Sequence, residues 1–349
     1  MKERSSNFEL LRIISIYMIV LYHMYLHSMW GGISSAPLCL SKVLTIGLSS
    51  WGIVGVDCFV LISSYFLIDS KFKIMRIIRL ILCMVFYQFS FLLITQWPTI
   101  ELSSVCKALL VPILSDYWFA TAYILLLLVT PFLNKLINVL NVSGLKKISA
   151  VLTCIVLFYH TMYPSASIGK WAIFICLYFI AAYLKRSNAI HRINTRSNLK
   201  YLAFSLLLSF ILFLIFDNYN YIGPIRHFHS SIIAKYSPLA AFISIITFLM
   251  FMRINFKSTV VNYLSKGVLG VYIISENDYL HDFIYNETFA FYVSDNWSHT
   301  LFYLISYSIT IMIVCVGIEL VRIFVFKYIE EVIARTKCIY SIDNWFNKI

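Results

Sequence analysis

Asn7-Phe-Glu9-Leu-Leu-Arg12-Ile-Ile-Ser-Ile-Tyr-Met-Ile-Val-Leu-Tyr-His23-Met-Tyr-Leu-His27 is the stretch that decides how this chain is read. It is apolar and long enough to cross a bilayer, yet it carries an acid, a guanidinium and two imidazoles. An arginine at the centre of a membrane helix costs about 2.5–3.5 kcal/mol on insertion scales, so an ionisable group inside a span is kept for a purpose. Arg12 and His23 are separated by eleven positions, close to three whole turns. Their side chains share one helix face, roughly 16 Å apart along the axis. Glu9 lies three residues before Arg12, within pairing reach.

The rest of the chain continues the theme. Of 349 residues, 60% are hydrophobic and 13% charged, and the mean hydropathy is +0.82. A soluble domain carries roughly 25% charged residues, so the composition is that of an integral membrane protein. Apolar runs predict about ten spans, near 8–28, 43–68, 74–96, 117–140, 148–164, 168–184, 198–216, 237–252, 260–284 and 300–326. The expectation is one all-α, polytopic membrane domain over 1–349. The first run has no A-x-A-like cleavage site and is expected to stay as the first helix. A short amphipathic piece between Ile100 and Leu114 is expected to lie at a membrane surface or re-enter.

The net charge of +12 would suggest nucleic acid in a soluble protein. Here the cations alternate by loop, with Lys2 and Arg4, then Lys71, Lys73 and Arg76, then Lys135, Lys146 and Lys147, then Lys185, Arg186, Arg192, Arg196 and Lys200, then Arg253 and Lys257, then Lys327, Arg335 and Lys337. The intervening loops hold acids such as Glu101, Asp116, Asp217, Glu287 and Asp295. That is the positive-inside pattern, which puts both termini in the cytoplasm and leaves no role for nucleic acid. The eight cysteines form no C-x-x-C pair, and most fall inside apolar runs as small core residues. Cys39 and Cys106 are expected on one side, where they could bridge.

Five segments, taken together, give the chain a resemblance. The first is Glu9-x-x-Arg12 with Arg12-x10-His23. The second is Gly52-Ile-Val-Gly55-Val-Asp57-Cys-Phe59 followed by Ser63-Ser64-Tyr65-Phe66. The third is Arg76-x-x-Arg79. The fourth is Tyr117-Trp118-Phe119, Tyr123 and Pro131-Phe132-Leu133-Asn134. The fifth is Leu269-Gly270-Val271-Tyr272. In this order they resemble the membrane acyltransferase-3 family, multi-pass acyl-CoA-dependent O-acetyltransferases, with the fourth segment similar to the capsule and exopolysaccharide branch. The chain departs at Ser64, where the family usually has Gly, and at Ser275, where it often has His.

The resemblance implies a cell-membrane enzyme that moves an acyl group from acetyl-CoA, or a related acyl-CoA, to a hydroxyl of a surface polysaccharide or its lipid-linked precursor. His23 would be the catalytic base, with Glu9 and Asp57 as acidic partners. Arg12, Arg76, Arg79, Ser63 and Tyr65 would hold the donor, and Trp118, Tyr123 and Glu276 the acceptor. The chain would complete the transfer itself or hand the acyl group to a separate partner, as a monomer or a homo-oligomer.

The residues support this chemistry and leave plainer alternatives beside it. Arg76 and Arg79, at i and i+3, can clamp phosphate or simply anchor a helix at the surface. A neutral imidazole in an apolar slot is a proton acceptor, or a buried histidine bonded to a neighbouring helix. Arg12 can hold phosphate or pair with Glu9. Asp57 can orient His23, balance Arg12, or make a helix contact. Trp118 and Tyr123 can be substrate walls or belt aromatics. Glu276 and Asp278 can bind acceptor hydroxyls or pair with Lys266 or an arginine. His27 lies one turn from His23, a spacing that could bind metal. No third ligand is evident, so no metal is expected. His227 and His229 read as solvated or acceptor-facing. The competing readings are a lipid-linked-sugar transporter or flippase and an inactive family relative. The transporter reading lacks the paired helix breaks of an inverted repeat.

Overall fold

A computed structural model describes residues 5–29, 39–111, 117–158, 170–189, 194–218, 238–288 and 296–348. These are helices and their connections, with no strand among the described residues. In chain order they are α1 (Ser6–Met24), α2 (Leu40–Ser49), α3 (Gly52–Leu67), α4 (Met75–Gln96), α5 (Leu102–Leu109), α6 (Trp118–Val139), α7 (Val142–Leu152), α8 (Lys170–Arg186), α9 (Thr195–Asn218), α10 (Pro238–Arg253), α11 (Thr259–Leu264), α12 (Val268–Ser275), α13 (Trp297–Ala334) and α14 (Lys337–Asn347). Five segments among them are long and apolar enough to cross a membrane: Ser6–His27, Leu40–Leu67, Met75–Gln96, Trp118–Val139 and Trp297–Ala334.

Most expected boundaries fall within a few residues of these helices, and three segments differ in kind. The expected span 43–68 is two helices joined at Ser50 and Trp51. The expected span 260–284 breaks into α11, a 3₁₀ turn over Ser265–Gly267, α12, and then a π-helical turn over Phe283–Thr288. The helix α13 has 38 residues, about 57 Å at 1.5 Å per residue, far more than a bilayer core of about 30 Å needs. Asp116, Asp295, His227, His229, Lys2, Arg4 and Arg192 lie outside the described residues, as does the end of the expected 148–164 span. Cys39 and Cys106 are both free thiols.

The first helix crosses α3 at close range, and the second segment of the resemblance supplies the means. A Cβ on Gly52 would stand 2.5 Å from Tyr22 Cβ, and one on Gly55 would stand 2.5 Å from the Ser15 carbonyl oxygen. With glycine there, backbone meets backbone, as membrane helices require when no hydrophobic effect drives them together. The two helices run antiparallel, since Phe8 meets Tyr65 at 5.8 Å and Phe66 at 5.1 Å at the other end. Leu11, Val60, Leu61 and Ile62 are fully or almost fully buried at this crossing and around it.

The end holding Glu9 and Arg12 is stitched by side chains to backbone. Asn134 Nδ2 donates to the Leu67 carbonyl at 3.0 Å and its Oδ1 accepts from Tyr178 Oη at 2.7 Å. The asparagine of the Pro-Phe-Leu-Asn segment thus satisfies one of the orphan carbonyls at the end of α3. Lys185 donates to the Tyr65 carbonyl at 2.8 Å, and Asp69 pairs with Lys185 at 2.7 Å and with Arg186 at 2.9 Å. Partial burial would raise the Asp69 carboxyl, but these two cations hold it below its ordinary value. The last helix closes the same end. Asp343 Oδ1 accepts from the Ile74 N–H at 2.7 Å, and Asn347 bonds both the N–H and the carbonyl of Phe72. The orphan N–H groups at the start of α4 are capped from the C-terminus of the chain.

Candidate active site

His23 sits on the last turn of α1 and faces Glu276, the residue that ends α12. His23 Nδ1 lies 2.9 Å from Glu276 Oε1, and His27 Nε2 lies 3.5 Å from Glu276 Oε2. Both ring nitrogens are buried, and neither makes a well-aligned hydrogen bond. The hydroxyl of Tyr285 donates to Glu276 Oε1 at 3.1 Å. One carboxylate therefore faces the imidazole of His23 on α1, that of His27 on the π-helical turn Tyr25–Met29 that continues it, and one phenol from the turn beyond α12.

Glu276 reaches this place because its helix stops there. Its φ of −101° and ψ of 21° lie in the bridge region, outside the helical range of α12. The break is held by a buried amide network. Asn277 Nδ2 donates to Gln88 Oε1 at 2.7 Å and to Tyr117 Oη at 2.9 Å, Tyr117 donates to the Ile273 carbonyl at 2.7 Å, and Gln88 Nε2 donates to Asp278 Oδ2 at 2.8 Å. Asn277, Gln88 and Tyr117 are all at least 98% buried. Such groups are fixed by their partners, since a missing bond in this setting costs the full desolvation penalty.

Beside Glu276 opens a cavity of about 480 Å³ lined by His27, Trp118, Tyr272, Glu276, Asp278 and His281. Its volume is within the range of small-molecule sites, and it combines aromatic walls with acidic and imidazole groups. His23 is not among its lining residues and is joined to it through Glu276, which His23 Nδ1 meets at 2.9 Å.

The expected site residues fall into separate settings. Trp118 and Glu276, both expected at the acceptor, share the cavity. Tyr123 does not reach it and stacks on Phe119, with ring centroids 6.3 Å apart. Asp57 is buried in α3, and its Oδ1 finds no hydrogen-bond partner. The carboxylate that meets His23 is Glu276, so the expected Asp57–His23 contact is replaced by one from another helix. Lys266, the expected alternative partner of Glu276, lies instead over the Tyr263 ring at 5.2 Å.

At the opposite end, Glu9 pairs with Arg12 at 3.0 Å, and the guanidinium of Arg12 lies 6.0 Å from the centroid of Phe59. Glu9 is thus far from His23 along α1 and acts on Arg12. The expected Arg76–Arg79 clamp divides: Arg76 donates to Ser70 Oγ at 3.1 Å, whereas Arg79 pairs with Glu330 of α13 at 2.9 Å. Ser63 is buried in α3. Tyr65 packs between Phe8 and Phe248 with Lys185 Nζ 4.9 Å from its ring.

Sequence reasoning missed His281, Tyr285, Asn277 and Gln88. It also missed a buried cluster at α13. Arg322 donates to both oxygens of Glu319, at 2.8 and 2.7 Å, and Tyr87 donates to Glu319 Oε2 at 2.9 Å. A signal for the first group existed. His281 and Tyr285 are one turn apart, the same spacing as His23 and His27.

The fold and the site together describe a membrane protein in which an imidazole and a carboxylate meet beside a polar cavity. The acyltransferase-domain profile of the acyltransferase-3 family matches residues 5–320. The chain belongs to the membrane acyltransferase-3 family, and acyl transfer is the chemistry of that class. No curated protein and no solved structure matches the chain.

Proposed function

We propose that this protein is an acyl-CoA-dependent O-acetyltransferase of the cell membrane, with a surface polysaccharide or its lipid-linked precursor as acceptor. The observation that carries the reading is the 2.9 Å approach of Glu276 to His23 Nδ1 next to an aromatic and acidic cavity. A carboxylate on Nδ1 fixes the tautomer and leaves Nε2 as the base. His23 takes the proton of the acceptor hydroxyl as its oxygen attacks the thioester carbonyl. The carbon–sulfur bond then breaks, and the proton passes from the imidazolium to the departing coenzyme thiolate. Trp118 and Tyr272 offer faces for a sugar ring, and Asp278 offers an acceptor for its hydroxyls.

In this reading the arginine end faces the cytoplasm. Arg12, Arg76 and Arg79 receive the anionic donor there, although two of them must exchange their present carboxylate partners for phosphate. The alternation of cations along the loops supports that orientation.

The test is the O-acetyl content of the surface glycan, read by NMR or mass spectrometry, in a deletion strain complemented with wild-type or His23→Ala protein at matched membrane abundance. Loss of the O-acetyl signal on deletion, restored by wild type alone, is expected. A fully acetylated glycan in the deletion strain overturns the acceptor, and wild-type acetylation by His23→Ala overturns the base.

A further inference from the structure

We infer that His27, Glu276 and His281 form a binding site for one divalent transition-metal ion of the zinc type at the mouth of the cavity. One ligand atom from each of the three residues can be chosen so that all lie within 4.8 Å of one another. The sequence brings His27 only to His23; the third ligand arrives from the turn after α12.

Three features separate this cluster from a chance meeting of polar side chains. The first is a distance. His27 Nε2 and Glu276 Oε2 are 3.5 Å apart, too far for a good hydrogen bond. Two ligands of one tetrahedral ion, each about 2.0–2.2 Å from it, stand roughly 3.3–3.5 Å from one another. The nitrogen is buried and makes no hydrogen bond, which leaves it available as a ligand.

The second is the outer support. His281 Nδ1 lies 3.2 Å from Asp282 Oδ1, which leaves Nε2 to coordinate. Glu276 Oε1 is engaged by the Tyr285 hydroxyl and faced by His23, which leaves Oε2. Carboxylate on the far nitrogen of a ligating histidine, and a donor on the far oxygen of a ligating carboxylate, is how proteins orient metal ligands.

The third is the open side. Two histidines and one glutamate fill three positions, and all three residues line the same cavity as Trp118 and Tyr272, which leaves room for a fourth ligand. Three protein ligands with a free position are the pattern of a zinc ion that binds a water or substrate oxygen. A hydroxyl oxygen is therefore the ligand class the fourth position would take. Nitrogen and carboxylate donors suit zinc, cobalt and nickel better than magnesium or calcium.

The test reads binding and does not depend on the acyl-transfer reading. Full-length protein in detergent, stripped with chelator, is titrated with Co²⁺ and followed by the visible bands of a tetrahedral cobalt site, with zinc stoichiometry measured in parallel by mass spectrometry. One ion per chain is expected. His281→Gln and the double variant His27→Gln/His281→Gln should bind more weakly than wild type by more than the roughly 10–100-fold that loss of an outer partner costs, and Tyr285→Phe should fall inside that range. Thermal melting checks that each variant is folded, and zinc should raise the melting temperature of wild type but not of the double variant. No stoichiometric ion in wild type, or full binding by a folded double variant, overturns the site.

Discussion

Two glutamates from this bundle make an instructive pair. Glu319 on α13 is closed in by Arg322 at 2.7 and 2.8 Å and by Tyr87 at 2.9 Å, with both members of the ion pair only 5% exposed at the side chain. Glu276 after α12 faces imidazoles at 2.9 and 3.5 Å and borders open space. Glu319 finds its cation three residues away on its own helix, an arrangement set before any tertiary contact forms. Glu276 finds its partners on α1, more than 240 positions earlier in the chain. A fully paired buried charge holds structure. A carboxylate shared among titratable groups at the edge of a cavity can exchange partners, which is what chemistry requires.

The sharpest way to break that contrast is Glu276→Gln. It keeps the shape and removes the charge, and should lower acyl transfer by about 10²–10⁴-fold, the range of a lost acid–base contribution, while the protein stays folded. Transfer measured in membranes at matched abundance decides it; near-wild-type turnover would reduce Glu276 to a bystander.

Glu319→Ala should act in the opposite sense, on stability first. Removing one partner of a buried pair strands the other charge and costs about 3–5 kcal/mol. Folded yield and melting in detergent should drop, and the double variant Glu319→Ala/Arg322→Met should recover part of the loss. A stable Glu319→Ala protein would show that Arg322 has another way to be satisfied.

The smallest expected effect is that of Gly270→Ala. A Cβ there runs into Cβ and Cγ of Glu319, so the glycine of the Gly-x-Tyr segment is the space through which that side chain passes. An overpacked contact of this kind costs about 1–3 kcal/mol. Melting temperature measures it, and an unchanged value would mean the Glu319 side chain moves freely out of the way.

Much of this was legible in the chain. The 16 Å ladder from Arg12 to His23 follows from helix geometry, and Glu9–Arg12 from its spacing. Gly52 and Gly55 could be placed in a segment of interest, and α3 packs on α1 through them. Glu276 could be singled out as a costly acid in an apolar run, but assigning it to the acceptor missed its contact with His23. Asp57 drew attention for the same reason and is not the carboxylate that meets His23. The difference lies in helix rotation and helix breaks, which no local pattern encodes. The break after Ser275 depends on Gln88, Tyr117 and Asn277, three residues from three separate segments that must all meet for the turn to be satisfied.

The sequence by itself determined that this is a helical membrane protein, because hydropathy acts locally and is read one residue at a time, and its five ordered segments carry the resemblance to the acyltransferase-3 family. Only the tertiary structure decided which acid meets His23, that His27 and His281 gather beside that acid, and that Arg76 and Arg79 turn to different partners. Those outcomes are set by packing between helices distant in the chain, where a side chain's neighbour is fixed by the rotation and end point of two helices at once.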